Sequence, residues 1–161
     1  MNHINEITKL EETSYKGGIS LGYKRQLKDI DTSSYGLIEN DETLITYGID
    51  TCYAIAIINE DNLFLSHLYS KTPLEDLQNI LEQITKEKSK VFLVLGPSSS
   101  FKDEITKRYL EYFENKKALF RKISLKDSGS MILDKETLTV YEGLGNIVLE
   151  ENIEKGRRLW K

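Results

Sequence analysis

The chain has 161 residues, one cysteine and a formal net charge of -4. That length favours a single domain with an apolar core of its own. One thiol excludes an internal disulfide, no ligand cluster has the spacing of structural zinc, and scattered basic residues such as Lys86-Glu87-Lys88 give nucleic-acid binding no support.

Residues 1–16 are polar and mixed, with Ile4, Ile7 and Leu10 at helical spacing, so a short helix fits there. Gly17-Gly18 breaks that pattern. Residues 19–42 have little periodicity and several turn formers (Asp31, Ser33, Ser34, Gly36), which suits a surface wrap or one weak strand. The core signal begins at Leu44. Residues 43–49 read as a strand ending in a glycine-containing bend. Residues 52–58 are apolar throughout and read as a strand buried on both faces. Asn59-Glu60-Asp61-Asn62 is a turn, and 63–68 is the next strand.

A helix is predicted over 73–85, with Thr72 as N-cap, Pro73 in the first turn and Glu75 three residues after the cap. Its apolar stripe is Leu74, Leu77, Ile80, Leu81 and Ile84. Val91 to Leu95 is a strand closed by Gly96-Pro97. A second helix follows over 101–114, capped by Ser100 with Asp103 at the reciprocal position. Its buried face would be Ile105, Tyr109, Leu110 and Phe113. Further strands are predicted over 118–125, 130–133, 137–141 and 146–150, and Gly143-Leu144-Gly145 is a loop. The order defines a layered α/β or α+β domain. It divides into an N-terminal extension or wrap (1–42), an α/β core (43–150) and a polar tail (151–161) holding Lys155-Gly156-Arg157-Arg158.

No run reaches the roughly 20 apolar residues that cross a bilayer. The opening Met1-Asn2-His3-Ile4-Asn5-Glu6 lacks the basic-then-apolar order of a standard signal peptide. The expected location is the cytoplasm, with delivery into a host cell by a specialised system as the alternative.

Cys52 lies fifteen residues before His67 on adjacent predicted strands. A hairpin pairing Ile58 with Leu63 makes the two diagonal neighbours on one face. Pairing Ile58 with Asp61 opposes them directly, and a one-residue slip puts them on opposite faces. A thiol in this setting is a core filler, a reactive group or a surface group, and cysteine is among the most buried residue types. Beside histidine its chemistry is nucleophilic: the imidazole takes the thiol proton, and the thiolate attacks a carboxamide carbonyl. The imidazolium then protonates departing ammonia, and water cleaves the thioester. Thr46 has a hydroxyl able to accept from the ring N–H. Gly48 allows close backbone approach, Thr51 offers a second hydroxyl, Asp50 is near in sequence, and backbone N–H groups nearby suit an oxyanion.

The segment Thr46-Tyr47-Gly48-Ile49-Asp50-Thr51-Cys52, with the apolar strand after it, resembles the catalytic motif of the bacterial chemoreceptor glutamine deamidases, the CheD family. His67 stands on the following strand after Leu65 and Ser66, and the likeness extends over about residues 40–142, through Asp127-Ser128-Gly129-Ser130 and Thr137-Leu138-Thr139-Val140. The glycine-rich signature after the histidine is reduced here. The resemblance implies a layered sandwich of packed mixed and antiparallel β-sheets with flanking helices. It implies Cys52 as nucleophile, His67 as base and Thr46 as the group orienting the histidine, with no cofactor or metal. The Cys–His interval is also similar to that of the cytotoxic necrotizing factor deamidases, which act on a glutamine of Rho-family GTPases. The expected activity is protein-glutamine deamidation, or transglutamination where an amine replaces water. The substrate would be a chemoreceptor or a Rho-family GTPase. A cysteine peptidase and a non-catalytic interaction domain are the alternatives.

Overall fold

The computed structural model describes residues 11–12, 27–38 and 42–153. They form two β-sheets and two helices in three layers. The strands are β1 (Glu11–Glu12), β2 (Leu27–Asp29), β3 (Ser34–Leu37), β4 (Thr43–Ile49), β5 (Cys52–Ile58) and β6 (Leu63–Tyr69). They continue as β7 (Lys90–Leu95), β8 (Leu119–Ser124), β9 (Gly129–Leu133), β10 (Thr137–Glu142) and β11 (Asn146–Asn152). The helices are α1 (Gln78–Ile84) and α2 (Lys102–Asn115). The first sheet runs β1-β3-β6-β5-β7-β8 and the second β11-β10-β9-β4-β2.

The apolar run of β5 is explained by this layering. Tyr53, Ile55 and Ile57 pack under the helices with Leu77, Leu81, Tyr109 and Phe113. Ala54, Ala56 and Ile58 point the other way, into a core shared with Leu44, Met131, Leu133 and Val140 of the second sheet. A strand covered on both faces needs no polar alternation. β11, on an edge, has one buried position, Leu149, and shows the opposite pattern.

The 1–42 segment does more than wrap the core. Its β2 runs parallel to β4 in the second sheet, and its β3 runs antiparallel to β6 in the first. Both are too short for a two-residue period to stand out among the turn residues around them. The helix predicted around Ile4, Ile7 and Leu10 lies outside the described residues, as does the basic cluster from Lys155. At the other end β11 extends through Asn152 and Ile153 is buried, so ordered structure enters the segment assigned to the tail.

Both helix starts differ from the sequence expectation. Leu74–Asp76 is a 3-10 turn led by Pro73, and α1 begins only at Gln78, with no side-chain cap. α2 is led by Phe101 in the left-handed conformation (φ 60°), again without a side-chain cap, so Ser100 and Asp103 do not form a capping box. Ser100 is used elsewhere, as described below. Leu110 is exposed, so the buried face of α2 is Ile105, Tyr109 and Phe113.

Candidate active site

The β5–β6 hairpin pairs Ile58 with Leu63, Ala54 with His67 and Cys52 with Tyr69. This is the diagonal register. Cys52 and His67 share the face of β5–β6 that looks toward the second sheet, with Ala54 between Cys52 and Ala56. Cys52 is 7% exposed and His67 3%.

Thr46 comes from the opposite sheet. It alternates with Leu44 on the inward face of β4, and its Oγ1 lies 2.7 Å from His67 Nδ1. The same hydroxyl donates to the Ile30 carbonyl at 2.7 Å. A threonine hydroxyl has one hydrogen. With that hydrogen committed to Ile30, Oγ1 receives a hydrogen from His67, which puts the ring proton on Nδ1 and leaves Nε2 with a lone pair. Nε2 is buried and has no hydrogen-bond partner among the described residues. Burial holds the His67 pKa below its ordinary value, against a smaller upward pull from Asp31. A neutral imidazole with a free Nε2 is the form a general base needs.

The backbone of β6 is fixed at the same point. The His67 carbonyl accepts from Ser33 N–H at 2.7 Å, and Ser34 pairs with His67 across β3–β6. Ile30, Asp31 and Ser33 surround the histidine but lie in the segment with the least readable pattern. Nothing in their residue types signals it, because Ile30 acts through its carbonyl and Ser33 through its N–H.

The loop before Cys52 is built where the two sheets meet. β4 bulges between Thr46 and Ile49 against β9, and Gly48 at φ 70° makes the bulge. Asp50 and Thr51 then carry the chain from the second sheet to the first. Asp50 is exposed, and its carbonyl accepts from Ser98 N–H at 2.9 Å. Gly96 packs against it so closely that a Cβ there would lie 2.2 Å from the Asp50 oxygen. Thr51 is exposed, with its Oγ1 3.9 Å from Cys52 Sγ. Of the residues expected to support the loop, Gly48 permits no close backbone approach, since nothing lies within 4 Å of a Cβ placed there, and serves its positive φ instead, while Asp50 is engaged through its carbonyl.

Ser70, Ser99 and Ser100 join this loop. The Ser70 hydroxyl donates to the Thr51 carbonyl, lies 2.9 Å from Ser99 Oγ and accepts from Ser100 N–H at 3.2 Å. Sequence reasoning assigns Ser100 to a helix cap and passes over Ser98 and Ser99; three serines in a row after a strand are the signal that points to this loop. Beside it opens a cleft of about 560 Å³ lined by Ser33, Thr51, Tyr69, Ser70, Lys71, Thr72 and Ser100. A second hollow of about 270 Å³ shares Ser70, Lys71 and Thr72 and reaches Phe101 and Arg108. Tyr47, Tyr69 and Phe101 are each more than half exposed.

Among the described residues no group of His, Cys, Asp and Glu is arranged to hold a metal ion. No helix there is long and apolar enough to cross a membrane. No family model matches the chain, and no curated protein matches it.

Proposed function

We propose that the chain is a protein-glutamine deamidase of the thiol type. The observation that supports this best is the buried bond from His67 to Thr46, on the same inward face that carries Cys52. A histidine that merely fills a core has no need of one specific tautomer with its second nitrogen left free. In the proposed reaction Nε2 takes the Cys52 proton and the thiolate adds to the side-chain carbonyl of a glutamine. The tetrahedral intermediate collapses, and ammonia leaves with the proton returned by His67. Water, deprotonated by the same nitrogen, then cleaves the thioester to glutamate and regenerates the thiol. The cleft beside Thr51 and Tyr69 suits an extended segment of a protein substrate better than an enclosed small molecule.

The CheD-like and necrotizing-factor-like resemblances give two substrate classes, chemoreceptors and Rho-family GTPases. The test is to incubate the protein and its Cys52→Ala variant with members of both classes and map the products by mass spectrometry. Amide-to-acid conversion at one glutamine, absent with Cys52→Ala, is expected. Cleaved fragments would identify a peptidase instead. Modification that persists in Cys52→Ala would end the covalent mechanism.

A further inference from the structure

Ser70 is one residue past β6 and holds the peptide that precedes the nucleophile. Its hydroxyl hydrogen goes to the Thr51 carbonyl. That carbonyl and the Cys52 N–H belong to one planar trans peptide, so they point in opposite directions. Fixing the carbonyl on the β6 side therefore fixes the N–H on the β7 side.

On the β7 side the ladder is open at this point. The Cys52 carbonyl accepts from Gly96 N–H at 3.0 Å, the first half of an antiparallel pair. The second half would run from Cys52 N–H to the Gly96 carbonyl. That carbonyl accepts from Ser99 N–H at 3.2 Å, as the chain turns through Pro97 and Ser98, and among the described residues the Cys52 N–H makes no backbone bond, the ladder ending at Tyr53 and Leu95. Ser99 and Ser100 are the residues that hold Ser70 from the other side. One serine cluster thus turns the Gly96–Ser99 loop away from the strand and clamps the Thr51 carbonyl.

We infer that Ser70 is a positioning residue that aims the Cys52 N–H as an oxyanion donor. This rests on the thiol mechanism proposed above. When the Cys52 thiolate adds to a carbonyl carbon, the C–S bond forms and the π electrons move to oxygen. The developing anion sits within reach of the nucleophile's own N–H if that N–H is free and fixed. Collapse re-forms the carbonyl and expels the leaving group. In this role Ser70 acts through the Thr51–Cys52 peptide.

Two probes of Cys52 separate aim from general reactivity. p-Nitrophenyl acetate acetylates a thiol through an oxyanion and releases p-nitrophenolate. Iodoacetamide alkylates it by direct displacement of iodide, with no oxyanion. Both are measured on the whole chain, with Cys52→Ala as background. Ser70→Ala is expected to slow acetylation about 10- to 100-fold, at most the cost of deleting one oxyanion donor. Alkylation should stay within about 2-fold, and this also reports that the variant is folded. Ser70→Thr, which keeps the hydroxyl, should restore the ratio of the two rates. A ratio unchanged in Ser70→Ala, whether both rates fall or neither does, overturns the inference. So does loss of the ratio in Ser70→Thr. If Cys52 acetylation depends on Ser70 but no glutamine of either substrate class loses its amide, the deamidase reading falls and the oxyanion role stands. If glutamine is deamidated and the ratio ignores Ser70, the reverse holds.

Discussion

Thr46 makes two hydrogen bonds from one hydroxyl, and each decides the other. The donation to Ile30 forces acceptance from His67. Thr46→Val keeps the shape and removes both bonds, leaving a buried carbonyl and a buried ring N–H without partners. A loss of about 1–3 kcal/mol in stability is expected from each group so orphaned. Acetylation and alkylation of Cys52 should both fall, by about 100-fold, because the proposed base is misassembled. That pattern differs from the one expected at Ser70, and the same two probes read it. His67 also makes stability depend on pH. Burial lowers its folded pKa below the unfolded value near 6.5. The unfolded chain therefore binds the proton first as pH falls. The stability that depends on neutral His67 is complete above that value and is lost below it. Asp76 works in the opposite sense. It is buried, neither carboxylate oxygen has a hydrogen-bond partner among the described residues, and burial and Glu75 raise its pKa to about 6. It destabilises the fold at neutral pH, and that burden lifts as pH falls through about 6. Urea midpoints from pH 7.5 to 4.5 should therefore show a rise in neutral-pH stability for Asp76→Asn, while His67→Gln should flatten the acid limb.

At the scale of elements, the connection between β4 and β5 is the most constrained piece of backbone. Gly96 is needed for space rather than for conformation, since a Cβ would meet the Asp50 backbone. Gly96→Ala must push the Asp50–Thr51 turn aside. The expected cost is about 1–3 kcal/mol, typical of overpacking, with slower Cys52 acetylation, measured by urea melts and the acetylation assay. Gly48 is the reverse case. It sits at φ 70° with open space around it, so Gly48→Ala should cost about 1 kcal/mol from backbone strain and little activity. These contrasts show what was legible in the residues. The strands from 43 to 69 were readable because long apolar runs punctuated by Asn59-Glu60-Asp61-Asn62 leave few alternatives; the hairpin register was not, since pairing Ile58 with Leu63 or with Asp61 fits the same residues. Cys52, His67 and Thr46 stood out by chemistry and spacing. Ser70 and Gly96 did not, because one acts by its hydroxyl on a backbone carbonyl and the other through the absence of a side chain. β2 was hidden because Lys28 is buried against Glu42 at 3.3 Å, a charged pair where a pattern search expects an apolar residue. The helix starts were misread because Thr72 and Ser100 have the composition of caps but lie ahead of the residues that lead the helical turns, Pro73 before the 3-10 turn and Phe101, at φ 60°, before α2.

For the molecule as a whole, the decisive fact is that the candidate site straddles two sheets. Cys52 and His67 stand on the first, and Thr46 on the second. Packing between the sheets, with the Ile30–Ser33 and Asp50–Thr51 connections, keeps Thr46 Oγ1 within 2.7 Å of His67 Nδ1. The helices stabilise the first sheet from its other face and touch none of these atoms. Stability and activity should therefore separate according to which layer is disturbed. Ala56 lies between the sheets, two residues from Ala54 on the site's own face. Ala56→Leu adds volume where both walls are strands, and should wedge them apart at a cost of about 1–3 kcal/mol. Leu81 is wholly buried on the face of α1 that packs on the first sheet. Leu81→Ala should cost about 2–5 kcal/mol through lost burial and a cavity. The less destabilised variant is expected to be the less active one. Ala56→Leu should lower Cys52 acetylation, because His67 loses its fixed tautomer. Leu81→Ala should retain it wherever the protein is folded. Urea midpoints and acetylation rates on the same samples measure both quantities. Equal loss of activity per unit of lost stability in the two variants would refute a site held together by the contact between the sheets.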